Sequence, residues 1–128
     1  MNEINNISVQ GLAYIGDAVF ELMVRTWLCA GGTSKAKNLH NKAIAIVSAK
    51  AQALAVDKVL PVLNEEELTI YKRGRNTHTN FVPKASTHEQ YHAATGIETL
   101  FGYLFINDKV DRLNELFSVI VEGSQSCD

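Results

Sequence analysis

Apolar residues recur along this chain at helical spacing, and no segment alternates as a half-buried strand would. Leu12, Ile15, Val19, Leu22, Met23 and Trp27 mark one long, largely buried helix. Ser8 can cap its start near Val9, and Gly31-Gly32 close it after Ala30. Leu39, Ala43 and Ile46 form the stripe of a second helix that Ser34 can cap. Ser48 can start a third, which must stop before Pro61. Asn64 followed by Glu65, Glu66 and Glu67 is a helix start, because acids there oppose the N-terminal dipole. That helix fades near Gly74. Residues 74–87 are polar, carry Gly and Pro, and read as a loop. Thr87 can cap a long helix over 88–106, and Asn107 or Asp108 a last one ending near Gly123. Residues 80–82, just before Pro83, are the one extended candidate. The predicted class is all-α, with about six helices.

At 128 residues the chain predicts one domain, spanning 1–128. Its 46% hydrophobic content suffices for a core and argues against disorder. No apolar run reaches the roughly 18 residues that a membrane span needs. No basic-then-apolar leader is present, and Cys29 and Cys127 lack metal or redox spacing. A reducing cytoplasm is therefore the expected compartment.

The net charge of −2 conceals strong segregation. Arg25, Lys35, Lys37, Lys42, Lys50 and Lys58 against Asp57 give +5 over residues 22–63. Lys72, Arg73, Arg75 and Lys84 give +4 over 68–88, with no acid. Basic segments of this kind suit a polyanion, and the acidic segments around them can hold a divalent cation.

Two carboxylates stand out. Glu98 is the only charged residue in AATGIETLFGYLFI, residues 93–106. Asp17 and Glu21 are the only charges between Val9 and Val24. Gly16, Gly96 and Gly102 sit beside them, and each interior Gly costs a helix about 1 kcal/mol relative to Ala. Close helix packing can offset that cost, which places Asp17 and Glu98 at a tight crossing. A buried carboxylate must be protonated, paired or metal-bound. One reading is a Mg²⁺ site, since Mg²⁺ takes oxygen ligands and often only one or two protein carboxylates. The other is ordinary pairing with Lys, Arg or backbone donors. Glu21 lies one turn beyond Asp17, where it could hold a metal-bound water or simply pair with Arg25. His88 and His92 share a helix face, but no second His or Cys pair completes a zinc site.

Residues 12–22, LAYIGDAVFEL, resemble the signature helix of the ribonuclease III family: aromatic, aliphatic, Gly-Asp-Ala, aliphatic, any residue, Glu. Residues 94–105, ATGIETLFGYLF, resemble its second acidic helix with a Glu-Ala-Leu-x-Gly core. Residues 39–48, LHNKAIAIVS, stand where the family has a Leu-Val-Ser element. The likeness covers about residues 8–122. Lys72-Arg73-Gly74-Arg75-Asn76 with Pro83-Lys84 is similar to the basic loop of the bacterial branch reduced to the nuclease domain.

The resemblance implies an all-α, homodimeric endonuclease that cuts double-stranded RNA with Mg²⁺ (Mn²⁺ as a substitute). It implies 5′-phosphate and 3′-hydroxyl ends. Asp17 matches the catalytic Asp, Glu98 the metal-binding Glu, and Tyr14 an aromatic knob that docks into the partner subunit. The nuclease-only branch implies maturation of the 23S ribosomal RNA precursor, with a ribosomal protein as an auxiliary partner to consider. Lys72, Arg73, Arg75 and Lys84 would contact RNA, with Lys50 as a further phosphate contact. Ala13, Thr95 and Gln10 stand where larger relatives carry acids, so the carboxylate cluster is thinned. That thinning bears on the number of metal ions. It also keeps an alternative open: a weak or inactive relative that binds structured RNA as a ribosome-assembly factor.

Overall fold

The computed structural model describes residues 6–32, 35–77 and 87–122. Six α-helices follow in order: α1 (Val9–Ala30), α2 (Ala36–Val47), α3 (Ala49–Val59), α4 (Glu65–Arg75), α5 (His88–Ile106) and α6 (Val110–Val121). A 3₁₀ turn, Leu60–Val62, carries the chain past Pro61 from α3 towards α4. Among the described residues there is no strand. Ser34 and residues 80–82 lie outside the described residues.

Side-chain caps set most helix starts. The Ser8 hydroxyl accepts from the Gly11 N–H at 3.0 Å, and the Ser48 hydroxyl from the Ala51 N–H at 3.2 Å. Asn64 and Glu67 form a reciprocal capping box, as do Thr87 and Gln90. The start of α6 departs from expectation. Lys109 occupies the N-cap with no side-chain hydrogen bond, while Asp108 takes a left-handed φ of 58°. The tight turn out of α5 uses both candidate cap residues. Asn107 ends α5 and donates its side-chain amide to the Tyr103 carbonyl. α4 also runs on through Arg75, so Lys72, Arg73 and Arg75 belong to a helical last turn rather than to a loop. Basic side chains there complement the C-terminal end of the helix dipole.

α5 is the central element and packs most extensively on α1, then on α4 and α3. Leu100, Phe101 and Leu104 of α5 are fully buried with Val24, Val59 and Leu116. Phe20 meets Phe101 edge to face at 5.4 Å and Phe117 at 6.1 Å, and Trp27 reaches Phe117 at 6.5 Å.

Glycines bring the helices around α5 into backbone contact. A Cβ on Gly16 would lie 1.6 Å from the Glu98 carbonyl oxygen, and one on Gly102 would lie 2.0 Å from that of Leu12. The α1–α5 crossing is therefore closed at two points by backbone against backbone. Gly96 serves a different contact: a Cβ there would meet the Tyr71 ring of α4 at 2.6 Å. The two glycines flanking Glu98 thus face two neighbours, α4 and α1, and clamp α5 between them.

Candidate active site

Asp17 follows Gly16 on α1, and Glu98 lies where Gly16 touches α5, so the crossing itself sets the carboxylates side by side. Asp17 is exposed and Glu98 is half-buried. The Glu98 pKa is pushed up to about 8, first by burial and then by the hydrogen bond and negative charge of Asp17. The Gln52 side chain opposes that rise. Neither carboxylate enters an ion pair among the described residues.

The two carboxylates open into a cleft of about 250 Å³ lined by Gln10, Ala13, Tyr14, Asp17, Thr77, Tyr91, Thr95 and Glu98. Gln10, Ala13 and Thr95, the three positions where larger relatives of the resembled family carry acids, all lie on its wall. The Thr95 hydroxyl donates to the Tyr91 carbonyl of its own helix at 3.0 Å. A neutral side chain turned to its own backbone stands there instead of an acid. Thr77 follows the last turn of α4, so the cleft adjoins the base of the 72–75 basic run.

The other sequence candidates divide. Tyr14 is 84% exposed on α1 and also lines the cleft. Glu21 bonds Arg25 at 3.1 Å, four residues on, and does not line the cleft. Lys72, Arg73 and Arg75 are exposed, and the Arg75 guanidinium lies 5.9 Å over the Tyr71 ring. Lys50 is exposed in the first turn of α3. Lys84 lies outside the described residues.

Sequence reasoning missed three residues of this region. Thr77 and Tyr91 line the cleft although they lack motif character. Gln52 of α3 is 1% exposed and reaches Glu98 Oε2 at 3.5 Å. The available signal was a lone amide on the apolar face made by Ala55, Val56 and Val59.

The ribonuclease III domain family matches residues 10–109, and the chain belongs to that family, which makes it an endoribonuclease by class. Within the family it is similar to proteins named Mini-ribonuclease 3. The protein of that name from Clostridium tetani is 40% identical over 120 residues, covering 90% of this chain and 80% of the relative. The one from Streptococcus pneumoniae is 39% identical over 124 residues, covering 95% and 97%. A crystallised protein from Fusobacterium nucleatum superposes with a TM-score of 0.84 at 29% identity, over 91% of this chain and 90% of that one.

Proposed function

We propose that this chain cleaves double-stranded RNA at the cleft where Asp17 meets Glu98, with a divalent cation, Mg²⁺ or Mn²⁺, as cofactor. The observation that carries the reading is the pair itself. Among the described residues the two carboxylates share one cleft with no Lys or Arg paired to either, and burial together with Asp17 pushes Glu98 up to about 8. Hard oxygen donors in excess negative charge suit a dication. Among the described residues no three His, Cys, Asp or Glu side chains come together, so water and substrate phosphate must supply the remaining ligands. Asp17 and Glu98 would hold the ion. When bound, it supplies Lewis acidity towards phosphate oxygens and lowers the pKa of a coordinated water.

The chain's own groups account for the rest. The half-buried Glu98 and exposed Asp17 give the cleft a protein side and a solvent side, so a backbone phosphate can approach Asp17 without any helix moving. Lys72, Arg73 and Arg75 supply positive charge beside Thr77 at the rim. Duplex RNA is gripped chiefly through phosphates and 2′-hydroxyls, which is work for such exposed cations. Lys84 and Lys50 extend the same charge in the sequence. Replacing both Arg73 and Arg75 by Ala should flatten the salt dependence of RNA binding by about two units of slope. An unchanged slope would exclude this turn from the interface.

The active form in this reading is a homodimer. Tyr14, Ala18 and Leu22 fall one turn apart on α1 and are all exposed, with Tyr14 at 84% and Leu22 at 66%. An uncovered stripe of this kind suits a two-fold contact. The two strands of a duplex share that symmetry, so each subunit would cut one strand, leaving 5′-phosphate and 3′-hydroxyl ends. Sedimentation equilibrium should show dimer at micromolar concentration, and a monomer throughout would remove the two-site scheme. The resemblance to the nuclease-only branch supports the 23S ribosomal RNA precursor as substrate, a cytoplasmic location and a ribosomal protein as auxiliary partner.

The neutral residues at 10, 13 and 95 favour a second reading, a weak or inactive RNA-binding assembly factor. One experiment separates the two. Long duplex RNA should be cut with Mg²⁺, left intact with EDTA, and left intact by Asp17→Asn, which still binds RNA and keeps its thermal midpoint. Intact RNA with wild-type protein and Mg²⁺ would leave the assembly-factor reading standing.

A further inference from the structure

Three polar side chains are buried among the described residues: Thr99 bonds within its own helix, Glu67 is answered by its cap and by Arg112, and Gln52 alone of the three keeps a polar atom without a partner. It sits on α3, is 1% exposed, and belongs to a face otherwise made of Ala55, Val56 and Val59. A buried amide among apolar neighbours is expensive unless its hydrogen bonds are made. Its Nε2 donates to the Val47 carbonyl at 3.2 Å, at the C-terminal end of α2. That acceptor fixes which end of the amide is nitrogen, because an oxygen turned to the Val47 carbonyl would be repelled. The second N–H of the same nitrogen is then left for Glu98 Oε2, 3.5 Å away. The amide oxygen, Oε1, is buried with no hydrogen-bond partner among the described residues. Both hydrogen bonds of the amide thus run through its nitrogen, one to the Val47 carbonyl and one to the carboxylate.

We propose that Gln52 is the positioning residue for Glu98: its amide, locked by the Val47 carbonyl, holds one carboxylate oxygen and so presents the other to a bound divalent cation. This rests on the metal reading of the Asp17–Glu98 cleft. A neutral donor is the right choice for the task. An Arg or Lys in that place would cancel the charge that attracts the cation, whereas an amide orients the carboxylate and leaves its charge intact. The 3.5 Å separation is long for a hydrogen bond, and contacts of this type tighten when the ligand arrives. Groups that orient a metal ligand typically matter by about 10- to 100-fold in metal affinity.

Gln52 also caps α2, so the test must separate orientation from scaffolding. Mn²⁺ binding to the full chain is measured by electron paramagnetic resonance, beside thermal melting, for wild type, Gln52→Met and Ser48→Ala. Gln52→Met keeps the length of the side chain without its N–H groups. Ser48→Ala loosens the same α2–α3 junction through the cap on Ala51, with no contact to Glu98. The expected result is an affinity loss of about tenfold or more for Gln52→Met. Ser48→Ala should lower the melting temperature and leave Mn²⁺ affinity unchanged.

Equal losses of affinity in the two variants would reduce Gln52 to scaffolding and overturn the proposal. Wild-type affinity in Gln52→Met would overturn it while leaving the metal reading in place. Wild-type protein that binds no Mn²⁺ would overturn both. A second measurement needs no variant: the ¹⁵N side-chain amide signal of Gln52 should shift on adding Mg²⁺ and saturate with the binding curve. An amide signal that stays still while Mg²⁺ binds also overturns the assignment.

Discussion

Glu67 and Glu98 are, among the described residues, the glutamates whose pKa burial disturbs, and their surroundings are opposite. Glu67 of α4 is 4% exposed and fully answered. Arg112 grips it with two nitrogens, each at 2.8 Å, and the Asn64 N–H donates at 3.0 Å. The Arg112 hydrogen bond, against the cost of burial, holds the Glu67 carboxyl below its ordinary value. Glu98 has one neutral amide at 3.5 Å and another carboxylate beside it, and is pushed up to about 8. The same side chain is a strut where its charge is compensated and, in the function proposed above, a cation ligand where it is not. Perturbation alone would not distinguish them, since both are shifted. The direction of the shift does, because an upward shift marks negative charge left without an answer.

The largest change to that contrast is expected from Gly16→Ala. The new methyl would lie 1.6 Å from the Glu98 carbonyl oxygen, which is backbone and cannot turn aside. α1 must lift from α5, at a cost of about 3 kcal/mol or more in urea unfolding. Asp17 moves with it, and misplacement by about 1 Å can cost roughly a hundredfold in turnover. A variant of wild-type stability would show that the crossing is looser than described.

Arg112→Leu comes next and would turn Glu67 into a second uncompensated carboxylate. Removing one partner of a mostly buried pair should cost about 2–4 kcal/mol at neutral pH. The pH dependence has a definite sign. Because the folded-state pKa of Glu67 is lowered, the unfolded chain takes up the proton first as pH falls below about 4.5. The stabilisation is present above that range and is lost as pH falls through the folded value. Arg112→Leu should therefore flatten this acid limb of stability, and a limb as steep as wild type would place the effect elsewhere.

The smallest effect belongs to Glu21→Gln. Its pair with Arg25 is solvent-exposed, with the side chains 43% and 68% open, so stability should change by no more than about 0.5 kcal/mol. Turnover at saturating Mg²⁺ should stay within about twofold of wild type. A fall of about tenfold or more would give Glu21 a role beside the cation that Asp17 and Glu98 would hold.

Local chemistry was readable from the chain itself. Ser8, Ser48, Asn64 and Thr87 each announce a helix start through a hydroxyl or amide followed by the correct offset, and each caps as expected. The Gly-Asp pair at 16–17 and the lone Glu98 between glycines announced a close crossing with acids at it, since only packing offsets glycine in a helix. Contacts made at long range were not readable. Arg112 lies 45 residues from Glu67, and Gln52 lies 46 from Glu98. Nothing local marks either as a partner. Lys109 at the start of α6 failed differently: the turn geometry at Asp108, rather than a capping side chain, sets that boundary.

The reciprocal glycine contacts between α1 and α5 have a consequence for engineering. Gly16 rests on the Glu98 carbonyl and Gly102 on that of Leu12, so main chain meets main chain at both ends of the crossing. The separation of the two acids is then set by peptide geometry instead of by the sizes of neighbouring side chains. Residues such as Val24, Leu104, Leu116 and Phe117 can be redesigned for heat tolerance without retuning the cleft, provided the two glycines stay. Gln52 stays outside that freedom, because its buried amide reaches Glu98 from the interior.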